Sequence, residues 1–143
     1  MFQNDLVFHF ADLDLLEAGE GLFARKVLVL LPAHEAQNNA YRDFLAKVLA
    51  AAGLSLAQDV LLVPLPTDDL PPISRLLAQK QAEKVLVFGF KPDTLGLHLE
   101  ITSNQPFHFL QADWLFSESL ATLEPDKTKK SQLWAGMKAL FGI

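Results

Sequence analysis

Three short apolar runs set the frame of this chain. Val27–Leu31, Asp59–Val63 and Lys84–Phe88 are continuous rather than alternating and rich in Val and Leu, the pattern of strands covered on both faces. Pro32 follows the first, Pro64 and Pro66 the second, and Gly89 the third. Between the first two, Tyr41, Phe44, Leu45, Val48, Leu49 and Ala52 recur at spacings of three and four, with Arg42, Asp43 and Lys47 off that face and Gly53 as a natural stop, which predicts an amphipathic helix. Between the second and third, Thr67-Asp68-Asp69-Leu70-Pro71-Pro72 combines capping residues with first-turn prolines, and Ile73, Leu76 and Leu77 mark the inner face of another helix. A β-α-β-α-β order with connections of this length predicts right-handed crossovers and a parallel sheet.

After Gly89 the period changes. Leu97–Ile101 and Phe107–Gln111 alternate strictly around Thr102–Pro106, which predicts a hairpin. Pro125-Asp126 then introduces a helix whose stripe is Leu133, Trp134, Met137, Leu140 and Phe141, with Asp126 or Thr128 as N-cap. The expected fold is therefore a three-layer α/β/α domain over residues 25–143, with a central, mainly parallel sheet and a C-terminal hairpin plus helix. Residues 1–24 read as an N-terminal arm or an edge strand.

Composition narrows the function classes. A length of 143 residues suits one domain, and half the residues are apolar, enough for a core without staples. The absence of cysteine removes disulfides and thiolate chemistry and suits a reducing compartment. The first residues have no basic stretch, acids interrupt the apolar residues that follow, and the longest apolar run, Val27–Ala33, has seven residues. The expectation is a cytoplasmic protein with no membrane span. A net charge of −5 offers no general attraction to nucleic acid. Residues 1–24 carry Asp5, Asp12, Asp14, Glu17 and Glu20 among apolar residues, whereas Lys127, Lys129 and Lys130 cluster near the C-terminus. The first group reads as a solvated arm or one seeking a basic partner, the second as a solvated face or a nucleic-acid contact.

Open α/β sheets bind ligands beyond the carboxyl ends of their strands, so a site is expected in the loops after Leu31, Val63 and Phe88. His34 and Glu35 follow the first strand; neighbours in sequence need not converge, and a solvated loop accounts for both. Asp68 and Asp69 after the second suit a magnesium site less well than the positive end of a helix. Gly89-Phe90-Lys91-Pro92-Asp93 lacks the features of a phosphate cradle. His98 and His108 read as cross-strand neighbours without a third metal ligand, and no Gly-x-Ser-x-Gly elbow occurs. No cofactor, metal or catalytic set is expected. Trp114-Leu115-Phe116 reads as an apolar contact patch beyond the last strand, or as a loop folded onto the core.

Two longer stretches carry a family resemblance. Asp43-Phe44-Leu45-Ala46-Lys47-Val48-Leu49-Ala50-Ala51-Ala52-Gly53-Leu54, continuing to Val60, and Ser119–Leu123 through Lys130 to Leu133-Trp134-Ala135-Gly136-Met137-Lys138-Ala139-Leu140, together with the segment order, resemble the uracil-DNA glycosylase fold. They resemble more closely its non-catalytic relatives, the psi subunits of the bacterial DNA polymerase III clamp loader. The glycosylase motifs are missing. Leu31-Pro32-Ala33-His34-Glu35 replaces the Gly-rich loop with its water-activating acid, Gln111-Ala112-Asp113-Trp114 replaces the His-Pro-Ser-like motif, and no aromatic in Pro32–Asn39 is placed to stack a flipped base. The resemblance implies a non-catalytic protein–protein adaptor whose partners are a clamp loader and a chi-like subunit. Leu6, Phe8, Phe10, Leu13 and Leu16 are then candidates for the docking segment, ordering on contact. The alternative is a DNA-binding protein or enzyme that retains the fold, with His34, Glu35 and the lysine cluster in play; an orphan domain with an unrelated partner is a third reading.

Overall fold

The computed structural model describes residues 19–67, 73 and 81–143. The apolar runs form β1 (Val27–Pro32), β2 (Val60–Leu65) and β3 (Lys84–Phe88). Between β1 and β2 lie a single helical turn, α1 (Ala33–Ala36), and α2 (Asn39–Ala51). After β3 come a 3₁₀ turn at Pro92–Leu95, the antiparallel pair β4 (Phe107–Phe109) and β5 (Ala112–Ser117), the short α3 (Leu120–Leu123) and the long α4 (Lys127–Phe141). The sheet order is β2-β1-β3-β5-β4, with every pair parallel except β4 with β5. The protein is an α/β fold, as the apolar runs predicted.

Alternation along the strands divides the core. Val27, Val29, Leu31, Leu62, Leu86, Phe88 and Leu115 meet Leu45 and Leu49 of α2, Leu120 and Leu123 of α3, and Leu133, Met137 and Leu140 of α4. Leu28, Leu30, Val63, Val85, Val87, Trp114 and Phe116 point to the other face, where Phe23, Ile73, Phe90, Leu95 and Leu97 cover them. Ile73 is helical and buried; Leu76, Leu77, Asp68 and Asp69 lie outside the described residues.

Four expectations are corrected. The segment after β1 is helical rather than a loop. Pro64 does not end β2: the strand continues to Leu65, with Leu31 opposite Pro64 in register. This costs no ladder bond because β2 is an edge strand, where the missing N–H can face outward. Leu97–Ile101 forms no strand; its alternation places Leu97 in the core, with Leu99 and Ile101 against it. The hairpin turns instead at Leu110-Gln111, both at positive φ, 50° and 63°. Two-residue hairpin turns favour such angles and usually advertise them with Asn-Gly; here no glycine marks the place.

Ahead of β1, the chain runs alongside β2. Glu20 and Leu62 exchange both backbone hydrogen bonds, and Phe23, Ala24 and Arg25 donate to the carbonyls of Val60, Gln58 and Asp59. Residues 20–25 are therefore hydrogen-bonded to the folded body.

Candidate functional site

Strand order reverses around β1, so the crevice above the carboxyl ends of β1 and β3 is where a ligand belongs in such a sheet. There the turns after β1 and β3 pack closely, while a cavity of about 370 Å³ lined by Glu20, Ala33, Ala36, Gln37, Arg42 and Pro64 remains at the carboxyl ends of β1 and β2. Pro32 ends β1 and Gly89 follows β3 at φ +77°; a Cβ on Gly89 would stand 3.1 Å from Pro32 Cγ and 3.3 Å from Ser119 Cβ. The backbone turn thus needs glycine both for its angle and for the closeness of its neighbours.

Glu35 closes the crevice from β1. Its side chain is 2% exposed, and its two carboxylate oxygens accept from the backbone N–H groups of Leu120 at 2.9 Å and Ala121 at 3.2 Å. These amides open α3, where no helical carbonyl precedes to take them. Ser119 caps the next, accepting from Thr122 N at 3.3 Å. Both carboxylate oxygens are thus engaged by backbone amides within the fold. His34 is exposed, since successive residues on a helical turn point about 100° apart. The pocket-loop candidates His34 and Glu35 are therefore not brought together: Glu35 is held inward by two backbone amides while His34 faces out.

Of the two readings of Trp114-Leu115-Phe116, a contact patch or chain packed onto the core, the burial fits the second. Trp114 is 0% and Phe116 2% exposed, because Gln111-Ala112-Asp113-Trp114 leads into a strand flanked on both sides. Trp114 donates from Nε1 to the Phe109 carbonyl at 2.7 Å, and its ring stacks with Phe116 and Phe107. The docking candidates Leu6, Phe8, Phe10, Leu13 and Leu16 lie outside the described residues.

The lysine cluster is dispersed. Lys129 pairs with Glu118 at 2.8 Å, and that carboxylate holds the ammonium above its ordinary range. Lys130 stands with Nζ 5.5 Å from the centre of the Phe44 ring, and Lys127 is exposed. His98 and His108 are not partners: His108 Nδ1 lies 2.8 Å from Asp113 Oδ1, while Lys84 Nζ donates to Asp113 Oδ2 at 2.6 Å. These three residues sit at one register level across β3, β5 and β4. The Lys84 hydrogen bond first, and the His108 bond second, hold the Asp113 carboxyl below its ordinary range. Among the described residues, no group of three or more acids and histidines is placed to hold a metal ion, and no helix is long and apolar enough to cross a membrane.

An apolar groove was not anticipated. α3 packs against both α2 and α4, and a furrow of about 350 Å³ remains between the two long helices, lined by Phe44, Val48, Leu133 and Trp134, with Lys47 contributed by α2 and Lys130 by α4. The sequence signal was present in the breadth of the α2 stripe, where Phe44 and Val48 flank the fully buried Leu45 and Leu49 and stay only partly covered. Trp134 does the same beside Leu133. In comparison with known proteins, no protein-family model and no characterised sequence matches this chain.

Proposed function

We propose that this protein is a non-catalytic protein–protein adaptor, with the psi-like place in a clamp-loader assembly that the segment resemblance implies. The observation that carries the non-catalytic half is the Glu35 carboxylate, buried and held by the amides of Leu120 and Ala121. Both of its oxygens tie the turn of α1 to the start of α3, and Pro32, Gly89 and Ser119 pack closely against one another at the same end of the sheet. The adaptor half draws support from the open apolar groove between α2 and α4. In the same reading the acidic, leucine-rich N-terminal segment docks on the clamp loader.

The test is reconstitution. The full chain is mixed with the purified clamp loader and chi subunit of its own organism and passed over a sizing column. Co-elution with either is the expected result; separate elution of all components at micromolar concentration overturns the clamp-loader assignment.

A further inference from the structure

We infer that the groove between α2 and α4 receives an acidic segment of a partner protein, a Phe or Leu anchor flanked by Asp or Glu. The walls supply the first requirement. Phe44 and Val48 from α2 and Trp134 from α4 present apolar surface over the buried Leu133, and the volume of about 350 Å³ lies at the small end of ligand pockets, about 300–1,000 Å³. That space suits one or two large side chains. Cofactor sites add several convergent hydrogen-bonding groups to such a lining; here the polar contribution is two ammonium groups.

Those ammonium groups supply the second requirement. Lys47 comes from one wall and Lys130 from the other, and neither forms an ion pair among the described residues. Lys130 instead lies over the Phe44 ring, an electrostatic contact that leaves its charge available to an anion at the rim. Two ammonium groups beside an apolar furrow select an occupant that combines an apolar anchor with more than one negative charge. A fatty acid carries one charge and matches only one of the two ammonium groups. Single-stranded nucleic acid needs rings standing clear as stacking platforms along a basic track, whereas Phe44 and Trp134 are half-buried walls and the adjoining Lys129 is paired with Glu118. Peptide docking into a groove through spaced apolar anchors is a common use of such geometry.

The inference rests on the adaptor reading only in taking the occupant to be a protein. A random peptide library displayed on phage is selected on the immobilised full chain, and enriched sequences are synthesised with a fluorophore and titrated. Enrichment of acidic sequences with a Phe or Leu anchor is expected. Their affinity should fall at least about tenfold with Trp134→Ala, the size of effect that loss of an interface aromatic produces, and comparably with the surface change Lys47→Glu/Lys130→Glu, which leaves the apolar walls intact. No enrichment, enrichment of basic or neutral sequences, or binding indifferent to both variants overturns the inference. So does displacement of the selected peptides by laurate or oligo-dT at lower concentration than by unlabelled peptide. A tenfold gain in peptide affinity on Asp12→Lys/Asp14→Lys/Glu17→Lys would assign the groove to this chain's own acidic segment and also overturn it. Failure of co-elution with a clamp loader leaves the selection standing, and a failed selection leaves the co-elution standing.

Discussion

The Glu35 carboxylate and the Leu120 amide, 85 residues apart in sequence, meet at 2.9 Å in the buried crevice above β1 and β3. With the second bond to Ala121, this contact ties α1, which follows β1, to the start of α3, which follows β5. Glu35→Ala leaves both N–H groups without an acceptor, and a buried unsatisfied donor costs about 1–3 kcal/mol. Urea denaturation should show a loss of that order. Glu35→Gln, which keeps one carbonyl oxygen as an acceptor, should lose less. Equal losses from the two substitutions would argue that the carboxylate's hydrogen bonds are not what matters.

Trp114 is expected to behave as core and Trp134 as partly exposed surface. Trp114→Ala removes a fully buried ring and its bond to the Phe109 carbonyl, and core Trp or Phe truncations cost about 3–5 kcal/mol. A drop of many degrees in Tm should follow. In acrylamide quenching of the fluorescence, the Trp114→Phe protein should be quenched more readily than the Trp134→Phe protein, since it retains the more accessible indole. The reverse order would place Trp114 at the surface.

Asp113 gives the fold a defined acid sensitivity. Its folded-state pKa is depressed, so its contribution to stability is present above the ordinary carboxyl value of 3.8 and is lost as the pH falls through the lowered folded-state value. Asp113→Asn should therefore be less stable than the parent at neutral pH, and the gap should narrow as the pH is taken below 3.8. Because Asp113 is substantially exposed, added salt should also narrow it. Denaturation curves measured at pH 7, 4 and 2.5, on the order of the range over which such carboxylates titrate, check the sign.

Gly136→Ala separates intrinsic propensity from packing. In an exposed helix interior the change would stabilise by about 0.5–1 kcal/mol. On α4 it should do the opposite, because a Cβ there would lie 2.5 Å from the Asn104 carbonyl oxygen and 3.1 Å from Leu115 Cδ1. Overpacking of this kind costs about 1–3 kcal/mol, and a lowered Tm is the expected reading.

The parallel core was legible because Val27–Leu31 and Lys84–Phe88 are apolar on both faces and bounded by turn residues; β3 begins and ends where the run does. Asp126 is the N-cap of α4, accepting from Lys129 N at 3.1 Å, a signal that a Pro-Asp pair ahead of an apolar stripe carries on its face. The segment from Leu97 to Ser117 was misread because alternation reports which side chains face the core, not which backbones pair. Leu97, Leu99 and Ile101 obey the period without a ladder, while Leu110-Gln111 turns the chain without glycine. The tie at Glu35 was out of reach for another reason: a partner 85 residues away leaves no local trace, and an acid after a strand reads the same whether it serves a substrate or two amides. The groove was half visible, in stripes wider than one buried row.

Pro64 and the Glu20–Arg25 segment have a bearing on how this molecule can associate. An uncovered strand edge is a template for any other extended chain. At the β2 border, a proline offers no amide and a stretch of the protein's own backbone already occupies several of the remaining positions. The opposite border, β4, is three residues long. Neither side of the sheet therefore gives a stranger much ladder to extend. If this protein docks on another, the contact would then fall to side chains, whose identity can discriminate between surfaces as a bare backbone cannot.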